Sequence, residues 1–140
     1  LVVNKDNPVY DSRDNCNAII EKSTKKLIAG CKNTVIPNSV EEIGESAFSG
    51  TGIANINLPD GLKKIGNYAF SKCTQLRSLT IPASVSDIGK EIFQSASNIT
   101  EISVDENNQK YDSRENCNAI IETEPKTLIF GCGKTIFHRR

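Results

Sequence analysis

The chain has 140 residues, of which 37% are hydrophobic, with 17 basic and 17 acidic side chains and neither Trp nor Met. This balance argues against nucleic-acid binding, because domains that bind nucleic acids carry a basic patch or stripe on their surface. No apolar run approaches the roughly 18 residues of a membrane span. The chain contains no recognisable secretory signal, and this is uninformative about the whole protein. Leu1-Val2-Val3 reads as the tail of a preceding repeat, so we expect a piece of a longer protein.

One motif occurs three times in the middle of the chain. It begins Ile-Pro-Asn-Ser-Val-Glu-Glu-Ile-Gly at Ile36 and returns in related form at Leu58 and Ile81, so its starts lie 22 and 23 residues apart. A fixed period in the twenties is typical of a solenoid, whose repeats bury their apolar faces only against one another. We therefore predict that residues 1–140 form a single stacked unit.

A second repeat links the two ends of the chain. Residues 10–21 return as residues 111–122, an offset of 101, and the match extends from Gly30-Cys31 to Gly131-Cys132. The offset of 101 fits the same frame as the short period of 22 to 23 residues. Together they predict six parallel strands, which we call rungs, and five turns of the solenoid that connect them. The predicted long turns are about 3–36 and 104–137, and the short repeats are 36–58, 58–81 and 81–104.

Each rung is predicted to be a short strand, because apolar residues such as Ile56 and Leu58 alternate with polar ones such as Asn57. Strands joined by more than about twenty residues cannot be hairpin partners, so they are expected to stack in parallel. Single helical turns on the convex side are predicted at residues 45–48, 67–70 and 90–93. The glycine before each turn indicates a positive φ or a close backbone approach.

The long turns each predict an added β-hairpin, with Ala18-Ile19-Ile20 and Leu27-Ile28-Ala29 flanking a polar turn in the first copy. A turn centred on Ser23-Thr24 places Ile20 opposite Leu27, Ala18 opposite Ala29 and Cys16 opposite Cys31. The same register pairs Cys117 with Cys132. Opposed residues lie near disulfide distance, so both pairs are candidate disulfides. The alternative, that all four are small buried hydrophobes, stays open.

Catalytic and metal chemistry find little support in the sequence. His138 is the only histidine and stands in a terminal tail, so a Ser-His or Cys-His site has no base. The cysteine spacing of 15 is not that of a zinc site, and the acidic loop at residues 105–108 lacks the spaced ligands of a calcium loop. We expect no metal, no cofactor and no enzymatic activity.

The candidate binding surface is the outward side of the strand rungs. Solenoid curvature turns such a face into an extended concave surface that suits macromolecular ligands. The alternative is a sheet face that only keeps the protein soluble. The predicted ligand-binding residues are Val35, Asn55, Asn57, Ser78, Thr80, Glu101 and Ser103.

The short motif resembles the BspA-like leucine-rich repeat, most clearly over residues 58–81, where Leu-Pro-Asp-Gly-Leu-Lys-Lys-Ile-Gly-Asn-Tyr-Ala-Phe leads to Cys73, Leu76 and Leu79. The Asn-Ala-Ile-Ile and Leu-Ile elements of the long turns are similar to units of the same family. Residues 48–53 depart from the pattern, being one residue short and without the Cys, and the chain ends without a further Ile-Pro start.

The resemblance implies a leucine-rich-repeat solenoid in a bacterial surface or secreted protein. Expected partners are protein or glycan ligands on host or other microbial surfaces, and the expected location is extracellular or at the cell surface. A structural spacer that presents another domain is the alternative. The chain shows no polar cap at either end, so end-to-end self-association is also expected.

Overall fold

The computed structural model describes residues 1–136, and this part of the chain is built mainly of strands, with only two short 3₁₀ helices, Arg13–Asn15 and Arg114–Asn116. None of the described helices has the length and apolar character to cross a bilayer. In chain order the strands are β1 (Tyr10–Asp11), β2 (Ile19–Glu21), β3 (Lys26–Ala29), β4 (Glu42–Ile43), β5 (Lys64–Ile65), β6 (Ser78–Ile81), β7 (Asp87–Ile88), β8 (Glu101–Val104), β9 (Tyr111–Asp112), β10 (Ala119–Glu122) and β11 (Thr127–Gly131).

A first parallel ladder lies where the repeats begin. β6 and β8 pair along four residues each, and their Leu79 and Ile102 point into the core with 3% of their surface exposed. The segments around Val3, Ile36 and Leu58, where rungs were predicted, are not strands, and the rung predicted at Phe137 lies outside the described residues. The prediction of six uniform rungs was therefore too regular.

A second parallel ladder joins β3, β4, β5 and β7, with Leu27, Ile43, Ile65 and Ile88 aligned across it. Apart from the hairpin residue Leu27, none of these residues lies in a strand predicted from the sequence. In the structure they are strand rungs, because the N–H of the glycine after each isoleucine donates to the carbonyl of the preceding rung at 2.8 Å, as from Gly66 to Ile43. A Cβ on Gly66 would lie 2.8 Å from the backbone of the neighbouring turn, so close approach explains the glycine.

The convex segments are hydrogen-bonded turns and not the predicted helical turns. Their second residues, Ser46, Tyr68 and Glu91, have φ values of 55°, 56° and 46°, which a right-handed helix excludes. This backbone directs N–H groups toward the next turn: Phe48 donates to the Ala69 carbonyl and Phe70 to the Ile92 carbonyl. The turns are thus joined to one another, where a helix would satisfy its backbone internally.

Aromatic rings form a continuous stack through the core. Phe48 lies 5.5 Å from Phe70, Phe70 lies 5.9 Å from Phe93, and Phe93 lies 4.6 Å from Phe130 between ring centroids. These spacings are those of favourable aromatic pairs. The stack links all three short repeats to the second hairpin.

Each long turn contains a three-stranded antiparallel unit, β1-β2-β3 or β9-β10-β11. Ile20 lies opposite Leu27 as predicted, but a register shift then places Ile19, and not Ala18, opposite Ala29. The predicted pairing of Ala18 with Ala29 was therefore wrong, because a bulge adds one residue to one strand. The second hairpin has its shift at the equivalent position.

The five cysteines are free thiols in this structure. The Sγ of Cys16 lies 3.8 Å from the Ala18 carbonyl oxygen, and that of Cys31 lies 3.4 Å from the Asn17 carbonyl oxygen. The bulge removes the direct opposition on which the Cys16–Cys31 and Cys117–Cys132 pairings were argued. Both disulfides stay predictions that rest on the repeated spacing. Burial raises the pKa of the Cys16 thiol, so it is protonated at neutral pH.

Candidate functional site

The seven residues predicted to bind a ligand lie along one face of the molecule. They line three clefts that adjoin one another, because neighbouring clefts share residues of the 56–60 segment or of β6. We call this surface the ladder groove. Its predicted members are Val35, Asn55 and Asn57 in the first cleft, Ser78 and Thr80 in the middle, and Glu101 and Ser103 in the last.

The first cleft of the ladder groove has a volume of about 360 Å³ and separates residues 34–38 from residues 55–60. The next, of about 210 Å³, separates residues 56–60 from β6. The last has a volume of about 480 Å³ and extends over β6 and β8 to Ser113 and Asn118. The groove therefore crosses several turns, and a ligand along it would be longer than a small metabolite.

Strand alternation determines which side chains face the groove. Thr80 and Ser103 stand on the outward side of β6 and β8, and their hydroxyl oxygens lie 2.9 Å apart in a cross-strand hydrogen bond. Val35 is 74% exposed at the other end of the groove. The surface thus combines small hydroxyl and amide groups with an exposed aliphatic side chain.

The charged side chains that line the ladder groove are acidic. They are Asp60, Glu101 and Asp105, and among the described lining residues none is Lys, Arg or His. The whole chain carries equal numbers of acidic and basic residues. The acidic character is therefore local to the groove, and it favours cationic ligands over anionic ones.

One polar atom at the end of the groove has no partner within the described part of the chain. The Oγ of Ser113 is buried without a hydrogen bond. Its counterpart in the first copy, Ser12, accepts a hydrogen bond from the Val3 N–H and donates one to the Ala18 carbonyl. Buried polar groups are usually paired, so the two copies differ here in a way the sequence does not indicate.

Sequence reasoning missed several residues of the groove, among them Asn38, Asp60 and Asp105. Asn38 and Asp60 directly follow the prolines at positions 37 and 59, where the strand-like segments end. Because each turn leaves its rung at the same edge, residues just beyond those prolines border the same surface. The proline positions could therefore have identified these groove residues, which the alternation of polar and apolar residues along the strands does not include.

Metal-ligand clusters are not found among the described residues. Within residues 1–136, no three His, Cys, Asp or Glu side chains come together as metal ligands. His138, for which no catalytic role is expected, lies outside the described residues.

The comparisons with known proteins agree on the type of repeat. A family model described as the BspA type leucine-rich repeat region matches residues 19–131, in six copies. No curated protein sequence matches the chain.

Three solved structures of bacterial proteins are similar to the chain. The pneumococcal vaccine antigen PcpA shares 27% identity with a TM-score of 0.64, covering 70% of this chain and 24% of its own. A leucine-rich cell surface protein of Faecalibacterium prausnitzii shares 26% identity with a TM-score of 0.57, covering 63% of this chain and 22% of its own. A leucine-rich repeat protein of Eubacterium ventriosum shares 21% identity with a TM-score of 0.64, covering 73% of this chain and 28% of its own, and shows the fold alone. The chain thus spans about a quarter of the length of these proteins.

Proposed function

Because the chain belongs to the family of BspA-type leucine-rich repeat proteins, we propose that it is a non-enzymatic module that binds a macromolecular ligand through the ladder groove. The protein that contains it is proposed to act outside the cell or at the surface of a bacterium. The ligand is a protein or a glycan of a host or of another microbe.

The observation that carries this proposal is the continuity of the groove. Clefts that adjoin across the repeats place Asn57, Thr80 and Ser103 on one open surface. Small-molecule sites are enclosed and mostly apolar, whereas this surface is long, shallow and polar. Extended concave surfaces are what solenoid proteins use to bind macromolecules.

The surface location is supported by the similar structures. One is named as a vaccine antigen and another as a cell surface protein, at 27% and 26% identity. Those names describe those proteins. Their likeness to this chain makes the extracellular space the first place to look for a ligand.

The test is a binding screen against immobilised host matrix proteins and a glycan array. A groove variant, Asn57→Arg with Thr80→Arg, introduces two large charged side chains at exposed groove positions. The matched control, Gln75→Arg with Ser86→Arg, adds the same charge at exposed positions that line no cleft of the groove.

We expect a ligand that binds the wild type and the control equally and loses at least tenfold in affinity for the groove variant. Equal binding by all three proteins would place the binding surface elsewhere. No binding in the screen would favour the alternative role, a spacer that presents another domain.

A further inference from the structure

The first ladder ends at β6 and does not continue to residues 55–58. β6 and β8 form a regular parallel pair, but within the described residues no backbone hydrogen bond joins residues 55–58 to either neighbouring turn. The preceding segment does not pair with it either, since the Val35 N–H donates to the Cys16 carbonyl of its own long turn. Residues 55–58, which line the clefts on both sides, therefore have backbone N–H and C=O groups without a backbone partner among the described residues.

A local shortening of the chain precedes this unpaired segment. The link from Phe48 to Ile53 has one residue fewer than the links from Phe70 to Leu76 and from Phe93 to Ile99. Residues 55–58 follow the short link directly, before the regular pairing begins at β6. The open segment is thus tied to a specific feature of the sequence in one repeat.

The floor of the groove is also more exposed here than at β6. Ile56 is half-buried, whereas Leu79 and Ile102 at the equivalent positions are 3% exposed. Leu58 is half-buried like its counterpart Val104, whereas Ile81 in β6 is fully buried. An extended chain that lies here would find both unpaired backbone and accessible aliphatic surface. These two features together define a β-strand recognition site, where main-chain hydrogen bonds give affinity and alternate side chains enter pockets.

The charges of the groove indicate which strand would fit. Asp60 borders the two clefts that flank residues 55–58, Asp105 borders the second, and Glu101 borders the third. An acidic partner segment would meet three carboxylates and no described cation. A basic segment would place Lys or Arg side chains beside them, and each exposed pair can raise affinity by up to about fivefold.

We propose that the ladder groove binds an extended, basic segment of a partner protein, whose backbone hydrogen-bonds to residues 55–58 and whose Lys or Arg side chains pair with Asp60, Glu101 and Asp105. This inference rests on the proposed binding function and narrows its ligand to a protein strand. A glycan ligand is the competing result of the tests below.

The first test uses two labelled octapeptides, one alternating Lys with Thr and the other alternating Glu with Thr. Alternation directs every second side chain to the same face of an extended peptide. We expect the Lys peptide to bind the 140-residue protein at least tenfold more tightly in fluorescence anisotropy, with affinity falling as salt rises. Equal affinities for the two peptides would overturn the proposal.

The carboxylates are tested with the triple variant Asp60→Asn, Glu101→Gln and Asp105→Asn. The amide replacements keep the size of each side chain, and Asp105→Asn keeps an oxygen to accept the Asn107 N–H. The matched control, Asp6→Asn, Asp14→Asn and Glu45→Gln, removes the same number of charges at exposed positions that line no cleft of the groove. A tenfold or greater loss confined to the first variant is expected, and the same loss in both would overturn the proposal.

The backbone pairing is tested on the wild-type protein by hydrogen exchange, which does not depend on the folding of any variant. Unpaired amides of residues 55–58 should exchange at least tenfold faster than amides of β8 that are paired with β6. Saturating Lys peptide should slow exchange at 55–58. Peptide binding without this protection would overturn the proposed strand pairing.

Glycan binding separates this inference from the function on which it rests. A neutral glycan that binds through the groove, with no binding of the Lys peptide, would overturn the basic strand and leave the proposed function standing. Failure of matrix proteins, glycans and peptide alike to bind the groove would overturn both.

Discussion

The two hairpins have nearly the same sequence but bury opposite faces. In the first, Ile20 and Leu27 are fully buried while Ile19 is half-exposed. In the second, Ile120 is fully buried, and Ile121 and Leu128, the counterparts of Ile20 and Leu27, are exposed to solvent in part, Leu128 by 46%. Burial is therefore reversed at these three pairs of equivalent positions, whereas Ala18 and Ala119 are buried in both copies.

The backbone of the strands and of the 3₁₀ segments does not explain this reversal, because it is closely similar in the two copies. Asp14 and Glu115 have φ values of 57° and 55°, and Asn17 and Asn118 both have 54°. Each hairpin also has its register shift at the same place. The similar local sequences of the two hairpins thus give similar local conformations.

The position of each hairpin in the stack of turns explains why different faces are buried. Within the described residues the first hairpin contacts the turn that follows it, through the pairing of β3 with β4. The second contacts the turn that precedes it, where Phe130 packs on Phe93. A hairpin has two apolar faces, one for each neighbour, and only the face with a neighbour becomes core.

The largest expected effect comes from truncating the equivalent leucines. Leu27→Ala should lower the free energy of unfolding by about 2–5 kcal/mol, since it leaves a cavity in the core. Leu128→Ala, the matched variant, should cost less than about 1 kcal/mol, because that side chain is already half in solvent. Urea unfolding of the two variants gives both values. Similar losses would contradict the reversal of faces.

Alanine substitutions at the equivalent glycines, Gly30 and Gly131, should also differ in how much they lower stability. A Cβ on Gly30 would lie 2.1 Å from the Phe48 ring, which is fully buried and cannot move aside, so Gly30→Ala should cost about 1–3 kcal/mol. A Cβ on Gly131 would meet the Thr135 hydroxyl at 3.0 Å, which requires only a small shift. Thermal melts should show the larger decrease in Tm for Gly30→Ala. A larger decrease for Gly131→Ala would mean that the second hairpin is the more tightly packed.

The equivalent tyrosines should differ by less. The hydroxyl of Tyr111 accepts a hydrogen bond from the Ile88 N–H at 3.1 Å, so Tyr111→Phe should cost about 0.5–1.5 kcal/mol. Tyr10 is 36% exposed, and Tyr10→Phe should leave stability unchanged. Chemical denaturation measures both. A cost for Tyr10→Phe equal to that of Tyr111→Phe would show that the contact with the preceding turn does not matter.

The smallest effect is one that both hairpins should share. A side-chain hydrogen bond from Arg13 lowers the pKa of Asp11, and one from Arg114 lowers the pKa of Asp112. A lowered carboxyl pKa contributes stability that is present above its ordinary value of about 4 and is lost as the pH falls through the folded pKa. Such a contribution is at most about 1 kcal/mol for a partly exposed pair.

Arg13→Gln and Arg114→Gln should each raise the pKa of the adjacent aspartate toward its ordinary value. Two-dimensional NMR titration of the carboxyl carbons measures this directly. Because each pair is only two residues apart in sequence, the two variants should respond alike. A response in one hairpin alone would make even this local contact dependent on the stack.

Much of the interior was predictable from the sequence. The equivalent residues Val40 and Leu62, and likewise Phe48 and Phe70, have no exposed surface, since each repeat presents the same face to its neighbours. Alternation also placed the outward residues of β6 and β8 in the ladder groove. These inferences depend only on spacing along the chain.

Tertiary structure decided which of the inward segments became strands and where the first ladder ends. A strand of the first ladder requires a hydrogen-bonded partner in a neighbouring turn, and residues 55–58, which follow the shorter link, have none while β6 and β8 pair. The same holds for the hairpins: the sequence by itself determined their conformation, and their neighbours decided which face is buried. Periodicity specifies the direction of a side chain, but burial and pairing are properties of two segments in contact.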